Sequence, residues 1–338
     1  MNALPTLKRS ALLYVVVLCL LLGSCSHNSG GQARTSAASP ESYEWTQVTA
    51  SAGFPVGYNF PVYVVGDKMI ALHFEGTWES KDGKTWTRSA LPSIRGDVYK
   101  TRFVQFKNAI YALGDNSGNY EKMAFSSRIR RTTDLRKWED VAKTSNLPNR
   151  IFYASFVFND KIWILGGYDG RDYFNDIWNS SDGKTWNRVV TNGAWSPRTA
   201  GTVVVFKNKI FLIGGGTIDG TPNPNPESGK EIWSSVDGIR WTRVAHDLQN
   251  GSGGSPIVFD DKIWLVGANR DGSFARSSLV SDDGEVWREV AAPWSPRGGV
   301  ATWIFNDRLY VTGGKYSVTE NGQIRFIYSN DVWMMTKK

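Results

Sequence analysis

Arginine recurs at one phase of this 338-residue sequence. Counting back twelve residues from the apolar residue after each of six short polar turns lands on Arg150, Arg198 and Arg297 in three cases. The other three positions hold Gly57, Val98 and Gly251. Two of the arginines end identical Trp-Ser-Pro-Arg segments, Trp195 to Arg198 and Trp294 to Arg297. A planar guanidinium meets a carboxylate or sulfate through two parallel hydrogen bonds, and like charges brought together raise a positive potential. The chemistry implied is recognition of an anionic group, with Tyr168 and Asp169 from a variable loop and Trp195 and Trp294 as further candidate binding residues. The same arginines have a competing structural role, which is to tie neighbouring loops together.

Other chemistries find few residues to run on. The three histidines are His27, His73 and His246, too few and too scattered for a histidine-built metal site, and no metal or cofactor is expected. There is no G-x-S-x-G elbow, H-E-x-x-H pair, P-loop or EF-hand loop. Net charge is +7, falling to +5 without Lys8 and Arg9, and no run of Lys or Arg follows them, so no nucleic-acid partner is expected. Fifteen tryptophans suggest sugar stacking, yet most fall at repeat positions, where packing explains them.

Those repeats are what must position the arginines. From Tyr43 onward each unit carries an apolar strand, a short polar turn, a second apolar strand, a variable loop, a third strand, a tight Asp-Gly turn and a fourth strand with Trp. Four strands per unit make a propeller blade. The first turn occurs six times, at Gly66-Asp67, Lys107-Asn108, Asn159-Asp160, Lys207-Asn208, Asp260-Asp261 and Asn306-Asp307, so six blades are expected. Asn and Asp tolerate the positive φ of such turns. The Asp-Gly turn precedes Trp86, Trp186, Trp241 and Trp287, with a degenerate copy at Asp134-Leu135 before Trp138. It resembles a shortened Asp-box, the repeat of sialidases, whose role there is structural.

Gly166-Gly167, Gly214-Gly215 and Gly313-Gly314, followed by the third-strand aromatics Trp178, Trp233 and Trp333, resemble the kelch repeat across nearly the whole chain after Tyr43. Blades one, two and five depart from it, with Leu72-His73, Gly114-Asp115 and Gly267-Ala268 at the double glycine. The resemblance implies an all-β, six-bladed kelch-type β-propeller. The last repeat ends without a fourth strand, and Glu44 to Val48 matches that strand elsewhere, so the N-terminal strand is expected to complete the last blade beside Asp331 to Met335.

Ahead of the repeats, Lys8 and Arg9 lead into an apolar run from Ala11 to Leu22, too short to span a bilayer and typical of a signal peptide. It ends in Leu22-Gly23-Ser24-Cys25, which resembles the bacterial lipobox. That resemblance implies a removed segment at 1–24, lipidation of Cys25, a flexible tether at 25–42 spanning roughly 23 Å, and a propeller at 43–338. Ser26 after the cysteine implies lipid anchoring in the cell envelope at an outer membrane. The remaining cysteine, Cys19, lies in the removed segment, which leaves no disulfide.

The function expected is non-catalytic binding or scaffolding, with a glycan, an anionic sugar among them, or a protein recognised through one propeller face. The alternative is a sugar-acting enzyme, since the chain distantly resembles sialic acid mutarotase-type kelch propellers; no catalytic residue can be matched. Cys25→Ser should move the protein from the membrane to the soluble fraction and abolish uptake of labelled palmitate; retention in the membrane without palmitate uptake by the wild type contradicts the anchor.

Overall fold

A computed structural model describes residues 43–92, 101–115, 124–217, 225–244, 247–248, 254–270 and 273–338. Cys25 and the segments before Tyr43, together with His27, Val98, His246 and Gly251, lie outside them. Ser42–Lys338 is one compact unit.

Short turns with positive φ start every sheet. Asn159 and Asp160 have φ of 46° and 55°, and the pairs Lys107-Asn108, Lys207-Asn208, Asp260-Asp261 and Asn306-Asp307 repeat this, the primed-turn geometry that matches strand twist. Each turn joins an innermost strand to a second strand that is buried on both faces. In blade three these are Ala154–Phe158, where burial alternates, and Lys161–Tyr168, where six consecutive residues are buried. A strand covered on both faces needs a continuous apolar run, here Ile162 to Leu165.

Six blades of four strands in up-and-down order follow, as the repeats predict, and the sheet of the last blade carries a fifth strand. The last blade is closed by the N-terminal strand: Tyr43–Thr49 runs antiparallel to Val332–Lys337, with Glu44 opposite Thr336, Trp45 opposite Met335 and Gln47 opposite Trp333. An edge left open by the repeat count is thereby paired.

Neighbouring blades meet through the Asp-Gly turn. In blade three Asp182 Oδ1 accepts the backbone N–H groups of Lys184 and Thr185, and Ser180 Oγ accepts that of Gly183. This pins Gly183 at φ 74° against the ring of Tyr111 in blade two. A Cβ there would lie 2.6 Å from the ring, so glycine is required by both backbone and contact. The contact recurs as Gly83 on Tyr310, Gly238 on Trp163 and Gly284 on Phe211. Blade two breaks the rule in a compensated way. Its turn holds Leu135, at φ 60° and buried, and the preceding blade offers the smaller Ile70 where the others have a ring; the two pack in one cluster with Leu72 and Ile110. At the sixth interface there is no such turn, and the Tyr43 ring stands edge-on to Trp264, centroids 4.9 Å apart, while its hydroxyl donates to Asp260 at 2.7 Å.

The innermost strands are also stitched around the channel. Arg102 Nε, Thr202 Oγ1 and Ser255 Oγ, three residues at one repeat position, donate to the carbonyls of Tyr153, Gly254 and Val300 in the following blade.

Two details differ from the sequence reading. The hairpin register of Val65 with Lys68 in blade one, against Phe158 with Lys161 in blade three, puts His73-Phe74, and not Leu72-His73, at the double-glycine position. The segment Lys315 to Arg325, which falls where the repeats place a variable loop, is instead a β-hairpin: the second strand of blade six runs on as Arg308–Glu320 and returns as Gln323–Tyr328.

Leu135→Gly should cost about 2–4 kcal/mol, the cavity left by a buried leucine less the relief of its positive φ. Adding Ile70→Tyr should recover most of that loss in urea denaturation; additive destabilisation by the two changes contradicts the interlocking described.

Candidate functional site

The three arginines of the Trp-Ser-Pro-Arg phase are 1–3% exposed, and each is paired within its own blade. Arg150 donates to both carboxylate oxygens of Asp176, at 2.6 and 3.2 Å, and to the carbonyl of Gly166. Arg198 donates to Glu231 at 2.7 Å and to the carbonyls of Gly214 and Ser228. Arg297 donates to both oxygens of Asp331 and to the carbonyl of Gly313. The indole N–H groups of Trp178, Trp233 and Trp333 donate to the same carboxylates.

Each arginine stem reaches its partner across the second glycine of the double-glycine pair. A Cβ on Gly215 would lie 2.8 Å from Arg198 Cδ, and one on Gly314 3.1 Å from Arg297 Cδ. Arginine, double glycine and carboxylate therefore occur together in blades three, four and six. Blade two holds a reversed version, with Arg128 at the carboxylate position bonded to Asp115 at the second-glycine position, 3.3 Å apart. Burial works against the charged form of Glu231, but the hydrogen bonds from Arg198 and then Trp233 hold it below the ordinary carboxylate value. A buried pair whose charges cancel leaves no surplus positive charge for a ligand, so these arginines are structural ties.

The companion residues are also committed. Ser196 and Ser295 explain the repeated Trp-Ser-Pro-Arg segment: each accepts the arginine two residues on, through its hydroxyl and its carbonyl. Trp195 packs edge-on against Trp241, and Trp294 edge-on against Trp45; both are buried. Tyr168 and Asp169 fold their own turn, the tyrosine hydroxyl donating to Gly170 and the carboxylate accepting from the backbone of Arg171 and Asp172.

An open polar site lies elsewhere, at the end of the central channel where the innermost strands begin. A cavity of about 330 Å³ is lined there by Asn59, Phe60, Pro61, Val62 and Tyr63 of blade one, Thr101, Arg102 and Phe103 of blade two, Ser255 of blade five and Val300, Ala301 and Thr302 of blade six. Arg102 and Ser255 are partly used in the stitching described above. The side chains of Asn59, Tyr63, Thr101 and Thr302 make no hydrogen bond among the described residues. Burial pushes the Tyr63 hydroxyl above its ordinary pKa, so it stays protonated. Among the described lining residues there is no carboxylate and no histidine.

None of these lining residues was singled out by spacing. They sit at or just inside the starts of innermost strands, and Phe60, Val62 and Ala301 among them are packed into a core cluster with Phe103 against it. His73 lies just behind Phe60, its ring 5.0 Å away, buried among Phe54, Phe74 and Trp78. Burial lowers its pKa to about 4, so it is neutral and part of the wall's support.

Known proteins agree with this architecture. The family described as the DUF6242 beta propeller domain matches residues 24–288. The kelch repeat protein M-T8 of Myxoma virus (strain Lausanne) is 26% identical over 53% of this chain and 34% of its own length. Beta-scruin of Limulus polyphemus is 26% identical over 57% of this chain and 21% of its own. The human leucine-zipper-like transcriptional regulator 1 is 23% identical over 59% and 23%. The chain thus spans about a third or less of these curated relatives. Among solved structures, that of YjhT superposes with a TM-score of 0.63 at 13% identity, covering 85% of this chain and 96% of that one, a likeness of fold.

Proposed function

The chain belongs to the family of DUF6242 β-propeller domains, and from that premise we propose that it is a non-catalytic binding module that takes a glycan in the cavity at the channel end. One observation carries the reading: four uncommitted polar side chains, Asn59, Tyr63, Thr101 and Thr302, stand beside Phe60 and Phe103 on the wall of one cavity. Sugars present hydroxyls at their rims and apolar C–H faces, and a wall of hydroxyl, amide and aromatic groups answers both. Pockets of this kind run from about 300 to 1,000 Å³, so this one holds a terminal sugar unit.

Arg102 adds a cation to the described lining while it donates to the Tyr153 carbonyl, and acidic sugars are tested beside neutral ones. With Cys25 lipidated, the propeller works at the surface of an envelope membrane, held by its tether. The alternative of a sugar-converting enzyme needs an acid and a base at the substrate, and the described wall offers the Tyr63 hydroxyl without a carboxylate or histidine beside it.

A glycan array followed by calorimetry tests the reading. The wild type should bind at least one acidic mono- or oligosaccharide, and Thr302→Val, which keeps shape and removes one hydroxyl, should weaken it about tenfold. Binding unchanged in Thr302→Val contradicts the site; turnover of the bound sugar contradicts the absence of catalysis.

A further inference from the structure

The stitches between innermost strands do not run all the way round the channel. Arg102, Thr202 and Ser255 each stand four residues before the last residue of their strand. The same place holds Ala154 in blade three, Ala301 in blade six and Pro61 in blade one. Those side chains have no donor, so the links from blade three to four, from six to one and from one to two are missing. The last two gaps are consecutive, and the cavity lies on them: Phe60, Pro61, Thr101 and Ala301 are all in its wall. Ala154 and Gly201, at the remaining gap, are not.

Each stitch ends on the carbonyl of the residue just ahead of the equivalent place in the following blade, Tyr153, Gly254 or Val300. At the two consecutive gaps the equivalent carbonyls are those of Phe60 and Thr101. In an antiparallel pair, residues alternate between bonding to the partner strand and bonding away from it. The Leu72 N–H donating to Pro61 at 3.0 Å fixes that alternation in blade one, and the pairing of Arg102 with Leu113 fixes it in blade two. Phe60 and Thr101, one residue out of step, turn their carbonyl oxygens from their own sheets to the channel side, as Tyr153 does. Among the described residues neither oxygen accepts a hydrogen bond, although both residues are buried and a buried backbone acceptor calls for a donor. Ala301 packs in one cluster with Phe60, so its methyl group stands where a stitching hydroxyl would reach that carbonyl.

Resting on the glycan reading of the cavity, we propose that the carbonyl oxygens of Phe60 and Thr101 are hydrogen-bond acceptors for the ligand, and that the ligand is a sugar presenting two hydroxyls there as donors. The sugar takes the place of the two missing stitches. A carbonyl oxygen accepts and never donates, so an ether, a carboxylate or a methylated hydroxyl finds no partner at this edge. Ala301 and Pro61 are positioning residues by what they lack, since their side chains leave both oxygens open.

Calorimetry with methyl galactoside, methyl glucoside and methyl galacturonoside, and with their monodeoxy and monodeoxyfluoro analogues, reads the donor role directly. Fluorine keeps the size of a hydroxyl and cannot donate. At two positions of the sugar that binds, hydrogen and fluorine should each weaken binding about tenfold. Ala301→Ser supplies the stitch from the protein's side, as Ser255 does in blade five. It should raise the melting temperature by about 2 °C and weaken the sugar about tenfold, while Ala154→Ser at the gap outside the cavity leaves affinity unchanged. Fluoro analogues that bind like the parent at every position overturn the acceptor role and leave the cavity reading standing. So does full affinity in an Ala301→Ser protein that melts no lower than the wild type. Should that serine destabilise the fold, the analogues on the wild type decide alone. Failure to bind any saccharide overturns both readings.

Discussion

Stacking sheets into a closed ring requires that each sheet cover its neighbour's face, and here one contact per interface sets the distance. A large side chain on the second strand of one blade lies against the Asp-turn residue of the next. At four interfaces that residue is glycine at positive φ with a ring on top of it. At the others the pair is Ile70 with Leu135, and Trp264 with Tyr43. At the Ile70–Leu135 interface the bulk shifts from one blade to the next, as close packing demands, while at the closing interface Tyr43 covers Trp264 from a strand instead of a turn. Everything nearer the channel inherits this spacing, including the stitches from Arg102, Thr202 and Ser255 to the next blade.

The cavity depends on the same ring. Its wall comes from blades five, six, one and two, which surround the place where the two ends of the chain meet. Blade six contributes Thr302 from a sheet whose outer strand is Tyr43–Thr49. The polar wall is therefore held in place by the pairing of the first described strand with the last.

Blade number, strand order and closure were legible because each repeat must meet the same packing demands, which recur as turn, apolar run and Trp at fixed phase. The arginines were equally visible, and their meaning was not. The missing signal was co-occurrence: arginine, double glycine and an acid two residues before Trp appear together in blades three, four and six, as Arg150, Gly167 and Asp176 do. The reversed pair of Arg128 and Asp115 is the same tie with its charges exchanged. The cavity residues were invisible for the opposite reason. Asn59 and Thr101 stand just ahead of their strands and Thr302 within one, and the residue types at these places are not repeated from blade to blade. The Lys315 to Arg325 hairpin falls where the repeats place a variable loop, and no repeat pattern marks it, although Gln323 to Tyr328 pairs as a strand.

The central claim is that one ring, closed by its own N-terminal strand, creates both the stability and the site. Thermal unfolding of a chain lacking Tyr43–Thr49 tests it most directly. The account predicts a sharply lowered melting temperature, because the deletion uncovers Val332–Lys337, the faces of Trp264 and Trp294, and the sheet that carries Thr302. An unchanged melting temperature would contradict it.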